Sequence, residues 1–282
     1  MLTLDGDTVR SRVERTSAIP AIPQVMKKIL RAVEDPATSP ALVSKLVASD
    51  PGLTAKILRV INAAVYGFVA RIASVNQAIV LLGLDVVRAL LLGVSIFEMM
   101  EQTAVGLWKH SLGCAIAAKL LAQKRSAAEP EEASIAGLLH DIGKVVLHVQ
   151  FPAEYQMALA AARDRGLFLV DAEKERFAMT HATAGAYFAS AWRLPKFVVE
   201  SVRYHHRPSL AKVAPIYTLT VHMADILAKA YSVGFSGDAF VSPVHQAAWE
   251  LFHFSEAEMK DIFARMGDMI AEVDDFLNNP EG

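Results

Sequence analysis

The chain has 282 residues, 53% of them hydrophobic and 21% charged, which is enough to bury a substantial core in one large domain or two smaller ones and too apolar for a disordered segment. Its 28 basic and 30 acidic side chains leave a formal net charge of −2, so there is no electrostatic case for nucleic-acid binding. Cys114 is the only cysteine, which excludes an intrachain disulfide and suits a reducing compartment such as the cytoplasm.

Met1 to Arg15 is polar and mixed in charge, without the apolar core of a signal peptide. After Pro23, apolar residues at 25, 26, 29, 30 and 33 share one helical face, and Asp35-Pro36 ends that helix. Ser39-Pro40 and Asp50-Pro51 each have the form of an N-cap followed by proline at the first helical position. The second leads into Leu53, Ile57, Leu58 and Ile61 at helical spacing, and Asn62 to Arg71 reads as an irregular connection. Ser74-Val75-Asn76-Gln77 has the form of a capping box. The apolar run Ala78 to Phe97 is split by Gly83 and carries Asp85 and Arg88, each costing about 2.5–3.5 kcal/mol at a bilayer centre. It therefore reads as two buried helices, the second from about Asp85 to Met100, and no membrane partner is expected.

Beyond Thr103 a helix carries His110 among apolar residues, with Cys114 read as core. Pro130 starts a helix that carries His140-Asp141 and continues to about Val149. Pro152 opens another that stops at Gly166, and His181 to Trp192 is an Ala-rich helix. Pro195 starts a helix reaching His205-His206, Pro215 opens the one with His222 and Asp225, and Ser255-Glu256-Ala257-Glu258 caps the last. Gly234 to Pro243 is the one glycine-rich loop of note. Strand-like alternation is almost absent, so the fold class expected is all-α.

Most of the chemistry converges on His140-Asp141. Histidine supplies a neutral nitrogen ligand, and an aspartate can bridge two cations. Candidate ligands stand at compatible places in His110, His181, His205, His206 and Asp225. Together these seven imidazole and carboxylate groups suit two divalent ions, with iron, manganese, zinc and nickel all compatible and Asp141 as the bridge. Lys144, one turn beyond Asp141, is positioned to offset a bound phosphate. His148 and His222 read as pocket wall or surface, and His245 and His253 as solvated tail residues.

The order of these residues resembles the HD phosphohydrolase superfamily, and within it the HDOD domains, signalling modules related to HD-GYP domains. The resemblance is carried upstream by Ile19-Pro20-Ala21-Ile22-Pro23, Ser49-Asp50-Pro51-Gly52-Leu53-Thr54-Ala55-Lys56-Ile57-Leu58, Asn62-Ala63-Ala64-Val65-Tyr66-Gly67 and Ile72-Ala73-Ser74-Val75-Asn76-Gln77. Downstream it rests on Trp192-Arg193-Leu194-Pro195 and Tyr204-His205-His206-Arg207-Pro208. It implies a multi-helix HD-like bundle with an N-terminal helical subdomain: a first half over 1–102, the ligand-bearing core over 103–232 and a C-terminal helical extension over 233–282.

By the same resemblance His110, His140, Asp141 and Asp225 would hold one ion, and His181, His205 and His206 a second, bridged through Asp141. Asp141 and Lys144 would be the catalytic residues of an active member. Catalytic HD-GYP proteins follow the His-His pair with an acidic residue and a Gly-Tyr-Pro stretch, whereas Arg207-Pro208 stands here. Trinuclear members carry an acid one turn before the first histidine, where this chain has Gly106. The function implied is a bacterial regulatory module acting through signalling-protein partners. The alternative is a metal-dependent phosphohydrolase acting on a nucleotide or cyclic dinucleotide, or another phosphate-containing small molecule. A diiron, oxygen-responsive site is a third reading.

Overall fold

Unbroken burial from His110 to Ala122 marks the helix around which the others are arranged. The computed structural model describes residues 3–15, 28–29, 32, 39–62, 72–103, 106–126 and 128–278, with the backbone alone at 94–103 and 274–278. The expected helix near Gln24 to Leu30 and the connection beyond Asn62 fall largely outside these residues, as do the motif 19–23 and the stretch 63–67 of the motif after it. Among the described residues there are α-helices and one short 3-10 turn, and no strand.

The N-terminal elements are α1 (Gly6–Glu14), α2 (Pro40–Ala48), α3 (Pro51–Asn62), α4 (Val75–Leu82) and α5 (Leu84–Thr103). Their starts follow the sequence signals. Ser39 Oγ accepts from Leu42 N at 3.2 Å, and Asp50 Oδ1 from Leu53 N at 3.0 Å. Ser74 Oγ accepts from Gln77 N, while Gln77 Oε1 reaches back to Ala73 N. Asn62 closes the connection after α3 by donating to Leu58 O and Ile72 O and accepting from Ile72 N. The run is buried throughout Val86 to Leu92, including Arg88, whose guanidinium donates to Trp192 O. Among the described residues no helix is long and apolar enough to cross a membrane.

The second group is α6 (Leu107–Arg125), α7 (Pro130–Leu139), α8 (Ile142–Gln150), α9 (Pro152–Arg165), α10 (Leu169–Phe177), α11 (His181–Ala191), α12 (Lys196–Tyr204) and α13 (Pro215–Ala230). The helix expected to run from Pro130 to Val149 is two helices. Asp141, with φ −98° and ψ 11°, breaks it between Leu139 and Ile142. That bend turns His140 and Asp141 inward together. α10, unforeseen in the sequence, packs on α9 through Tyr155 and Phe177, whose rings lie 6.3 Å apart. α1, also unforeseen, buries Val9 and Val13 and packs on α8 and α11.

The C-terminal extension packs on α6. It comprises α14 (Gln246–Phe252) and α15 (Glu256–Asn278), the latter opened by a reciprocal box between Ser255 and Glu258. The Arg125 guanidinium pairs with both Glu258 oxygens and donates to Phe252 O and His253 O.

One close approach sets how α8 and α11 lie against each other. α8 and α11 cross backbone to backbone at Gly143 and Gly185, where a Cβ on Gly143 would overlap His181 O and Gly185 N. No side chain fits there, so His181 is brought up beside Asp141. Gly143→Ala is expected to cost about 1–3 kcal/mol by overpacking. Gly52→Ala, whose added carbon meets nothing nearer than Asp50 Oδ1 at 3.4 Å, should change stability by less than about 0.5 kcal/mol. Urea unfolding of the two variants checks the contrast.

Candidate metal centre

Asp141 stands at the mouth of the α7–α8 bend with its two carboxylate oxygens turned toward different neighbours. Oδ2 lies 3.3 Å from His140 Nε2 and 3.7 Å from His110 Nε2. Oδ1 lies 3.2 Å from His181 Nε2 and 3.7 Å from His205 Nε2. From α13, Asp225 Oδ1 approaches His110 Nε2 at 3.0 Å and His140 Nε2 at 3.8 Å. His206 Nε2 lies 3.0 Å from His181 Nε2. All seven residues singled out in the sequence thus converge, from α6, the α7–α8 bend, α11, the end of α12 and α13.

The residues form two groups, His110, His140 and Asp225 with Cys114, and His181, His205 and His206, linked by a third made of His140, Asp141 and His205. Two donors bound to one ion at about 2.0–2.1 Å stand about 2.9 Å apart at a right angle and about 3.4 Å apart at the tetrahedral angle. The observed separations run from 3.0 to 3.8 Å, within that range or slightly above it. Moreover, His140 Nε2, His205 Nε2, Asp141 Oδ1 and Asp225 Oδ1 are buried without a hydrogen-bond partner. Such groups cost free energy unless something else satisfies them, and two cations would do so, one at His140 and Asp225 and one at His205 and Asp141 Oδ1. The residues fit a dinuclear metal centre.

The histidines are oriented for it. His140 Nδ1 bonds Gly137 O at 2.6 Å and His205 Nδ1 bonds Val202 O at 2.9 Å, so in the neutral ring the proton sits on Nδ1 and Nε2 presents a lone pair. His181 is held by Glu173, whose Oε2 accepts from both its backbone N and its Nδ1 at 2.7 Å. Burial, reinforced by neighbouring imidazoles, holds His205 and His206 well below the usual histidine pKa, and burial also lowers His110. Burial works against a charge on Asp141, yet His140 and Lys144 outweigh it and keep the carboxyl far below its usual range. Asp225 behaves alike, its carboxyl held well below the usual range by the Lys229 charge and then by the adjacent His110 and His140 side chains, against burial.

Lys144 is buried; its Nζ donates to Asp141 Oδ2 at 2.6 Å and to Ser236 O at 2.7 Å, leaving one proton of three for any other group. Lys229 makes the matching pair with Asp225 Oδ2 and Asp238 Oδ2, both at 3.0 Å. Ser236 and Asp238 belong to the glycine-rich loop, which lies across the centre as a strap. Its Phe235 N donates to Gly106 O, and Gly234, at φ +62°, sits where a Cβ would overlap Gly106 O and His110 N. The position of the acid in trinuclear members is therefore a bare glycine beneath the strap.

Glu173, Lys229, Asp238 and Cys114 were not singled out as site residues. Lys229 is four residues after Asp225, a helical pairing that the spacing carries. Glu173 and Asp238 reach the centre from other elements with no local signal. His222 lines the adjoining cavity, bonding His205 O through Nδ1 and accepting from His245 N. His148 packs edge-on against Tyr155. His253 is exposed as expected, whereas half-buried His245 caps α14 by accepting from Ala247 N.

A family model described as the HDOD domain matches residues 19–208. An uncharacterised protein of Treponema pallidum (strain Nichols) is 26% identical over 200 residues, 70% of this chain and 39% of its own, so the chain spans about two fifths of that relative. The crystal structure of an HDOD domain protein from Geobacter sulfurreducens is 25% identical, with a TM-score of 0.68 over 97% of this chain and 98% of that one. A Marinobacter aquaeolei VT8 protein, provisionally named for signal transduction, shares the fold at a TM-score of 0.71 and 20% identity, over 99% of this chain and 67% of that one.

Two outcomes follow for the centre. Burial opposes a charge on His140, but Asp141 and Asp225 outweigh it and push its pKa up to about 9. The metal-free ring is therefore protonated at neutral pH, and an incoming ion must displace that proton. Affinity for zinc should rise as pH increases toward about 9, with proton release detectable by calorimetry in buffers of different ionisation enthalpy. Glu173→Gln, which replaces the carboxylate orienting His181, should weaken binding of one of two zinc equivalents by about 10–100-fold in a chelator competition.

Proposed function

We propose that this chain, which belongs to the HDOD domain family, is a bacterial signal-transduction module whose two-metal centre organises a partner-binding surface and is not built for turnover of nucleotides. The observation that carries this reading is the strap. A cavity of about 190 Å³ adjoins the centre, lined by Phe168, Val170, His206, His222, Asp225, Asp238, Ser242 and Pro243. It has room for about six waters and is smaller than the roughly 300–1,000 Å³ of ordinary small-molecule pockets. A phosphate fits such a space; a nucleotide requires the strap to move.

The strap also supports a route from metal to surface. Lys144 and Lys229 each hold a ligand carboxylate on one side and a strap group on the other. The same segment exposes Phe235, Phe240, Val241 and Val244, an apolar group of the kind that marks interaction sites. Phe240 packs on Phe168 at the cavity wall. Loading the centre would change the charge seen by both lysines and so the hold on this surface.

A second reading, a metal-dependent phosphohydrolase, is favoured by the complete ligand set. Two bridged cations, when bound, would lower the pKa of a water and polarise a phosphate oxygen. This chain's own residues would then orient the phosphate from His206 and the third proton of Lys144. Manganese- or iron-loaded protein is expected to hydrolyse bis-(p-nitrophenyl) phosphate no faster than Asp141→Ala. Robust turnover lost in that variant would establish the hydrolase instead. In parallel, metal loading should slow amide hydrogen exchange over 233–245; unchanged exchange there would contradict the proposed coupling.

A further inference from the structure

Cys114 lies one helical turn beyond His110 on α6, completely buried, and its sulfur stands 3.5 Å from His110 Nε2. We propose that Cys114 is a thiolate donor to the ion held by His110, His140 and Asp225, so that this half of the pair takes a thiophilic cation such as zinc, cobalt or ferrous iron in preference to manganese or magnesium. The inference rests on the reading of the site as a metal centre and adds to it a ligand and a metal preference.

Three observations carry it. The cysteine sulfur, His110, His140 and Asp225 offer ligand atoms that all lie within 4.8 Å of one another. A sulfur bound at about 2.3 Å and an imidazole nitrogen at about 2.05 Å stand about 3.6 Å apart at the tetrahedral angle, which the 3.5 Å separation matches. Second, His140 Nε2 and Asp225 Oδ1 are buried, aimed into the same space and without hydrogen-bond partners. Third, His110 Nε2 faces both Cys114 Sγ and, at 3.0 Å, Asp225 Oδ1, and a single proton there can serve only one of them. A cation shared by all three removes that conflict.

On binding, the S–H bond breaks, its proton passes to solvent and a sulfur–metal coordinate bond forms, with no change of oxidation state. The two halves then differ in character. The His181, His205 and His206 half has Asp141 Oδ1 and no sulfur, and suits a borderline ion; the Cys114 half is the softer one. A pair of unlike metals is the natural occupant.

Cobalt(II) titrated into metal-free full-length protein gives the test. Ligand-field bands in the visible report cobalt binding, and a near-ultraviolet sulfur-to-cobalt charge-transfer band reports the thiolate. Both should appear in the wild type. Cys114→Ser should keep the ligand-field bands, lose the charge-transfer band and bind cobalt about tenfold or more weakly, while manganese affinity changes much less. Zinc-edge X-ray absorption of the wild type, which needs no variant, should show a sulfur neighbour at about 2.3 Å. Ligand-field bands with no charge-transfer band, or a zinc shell of nitrogen and oxygen alone, would overturn the role of Cys114 and leave the metal centre standing. Absence of any cobalt binding would overturn both.

Discussion

The whole arrangement depends on one carboxylate held between two sets of imidazoles in a dry interior. Asp141 Oδ2 faces His110 and His140, and Oδ1 faces His181 and His205. A buried charge of this kind is costly unless it is paired and hydrogen-bonded on every side. The chain meets part of that requirement with Lys144 on Oδ2, and the helix break at Asp141 sets ring nitrogens around the group, while Oδ1 has no hydrogen-bond partner of its own. The Gly143–Gly185 crossing then fixes how near α11 can come.

Compensation of the carboxylates also explains why the C-terminal segment is part of the site. The range matched by the family model ends at 208, yet Asp225, Lys229, Ser236 and Asp238 all lie beyond it. Each lysine joins a ligand carboxylate to the strap, and Asp238 goes on to accept from Leu169 N at the start of α10. α10 in turn carries Glu173, which orients His181. Strap, α10 and centre are one connected polar network, in which removing one partner leaves another buried group unsatisfied.

The sequence showed most of what is local. Caps at Ser39, Asp50, Ser74 and Ser255 stand where their side chains close the first helical turn, because a cap is a contact over three residues. The seven candidate ligand residues were also legible, since their order along the chain resembles a known pattern. What was not legible depends on distance in the chain: Glu173 and Asp238 act across helices, and α10 is held by packing on α9 without a cap from its own N-cap residue, whereas α1 does open on a local cap, Asp5 Oδ2 accepting from Thr8 N. The expected continuous helix through His140-Asp141 follows from apolar periodicity that runs on past the break. That periodicity cannot register a single residue at ψ 11°. Cys114 is the instructive case: it is buried as read, and its i,i+4 relation to His110 also sets its sulfur beside the candidate ligands.

The central claim, that the seven residues around Asp141 hold two metal ions, is tested most directly by metal analysis of the purified full-length protein after reconstitution. The account predicts about two equivalents of divalent metal per chain in the wild type and a clear loss in Asp141→Ala, because that change removes the bridge and one donor from each half. A wild-type chain that retains no metal, or an Asp141→Ala variant that retains the full complement, would contradict it.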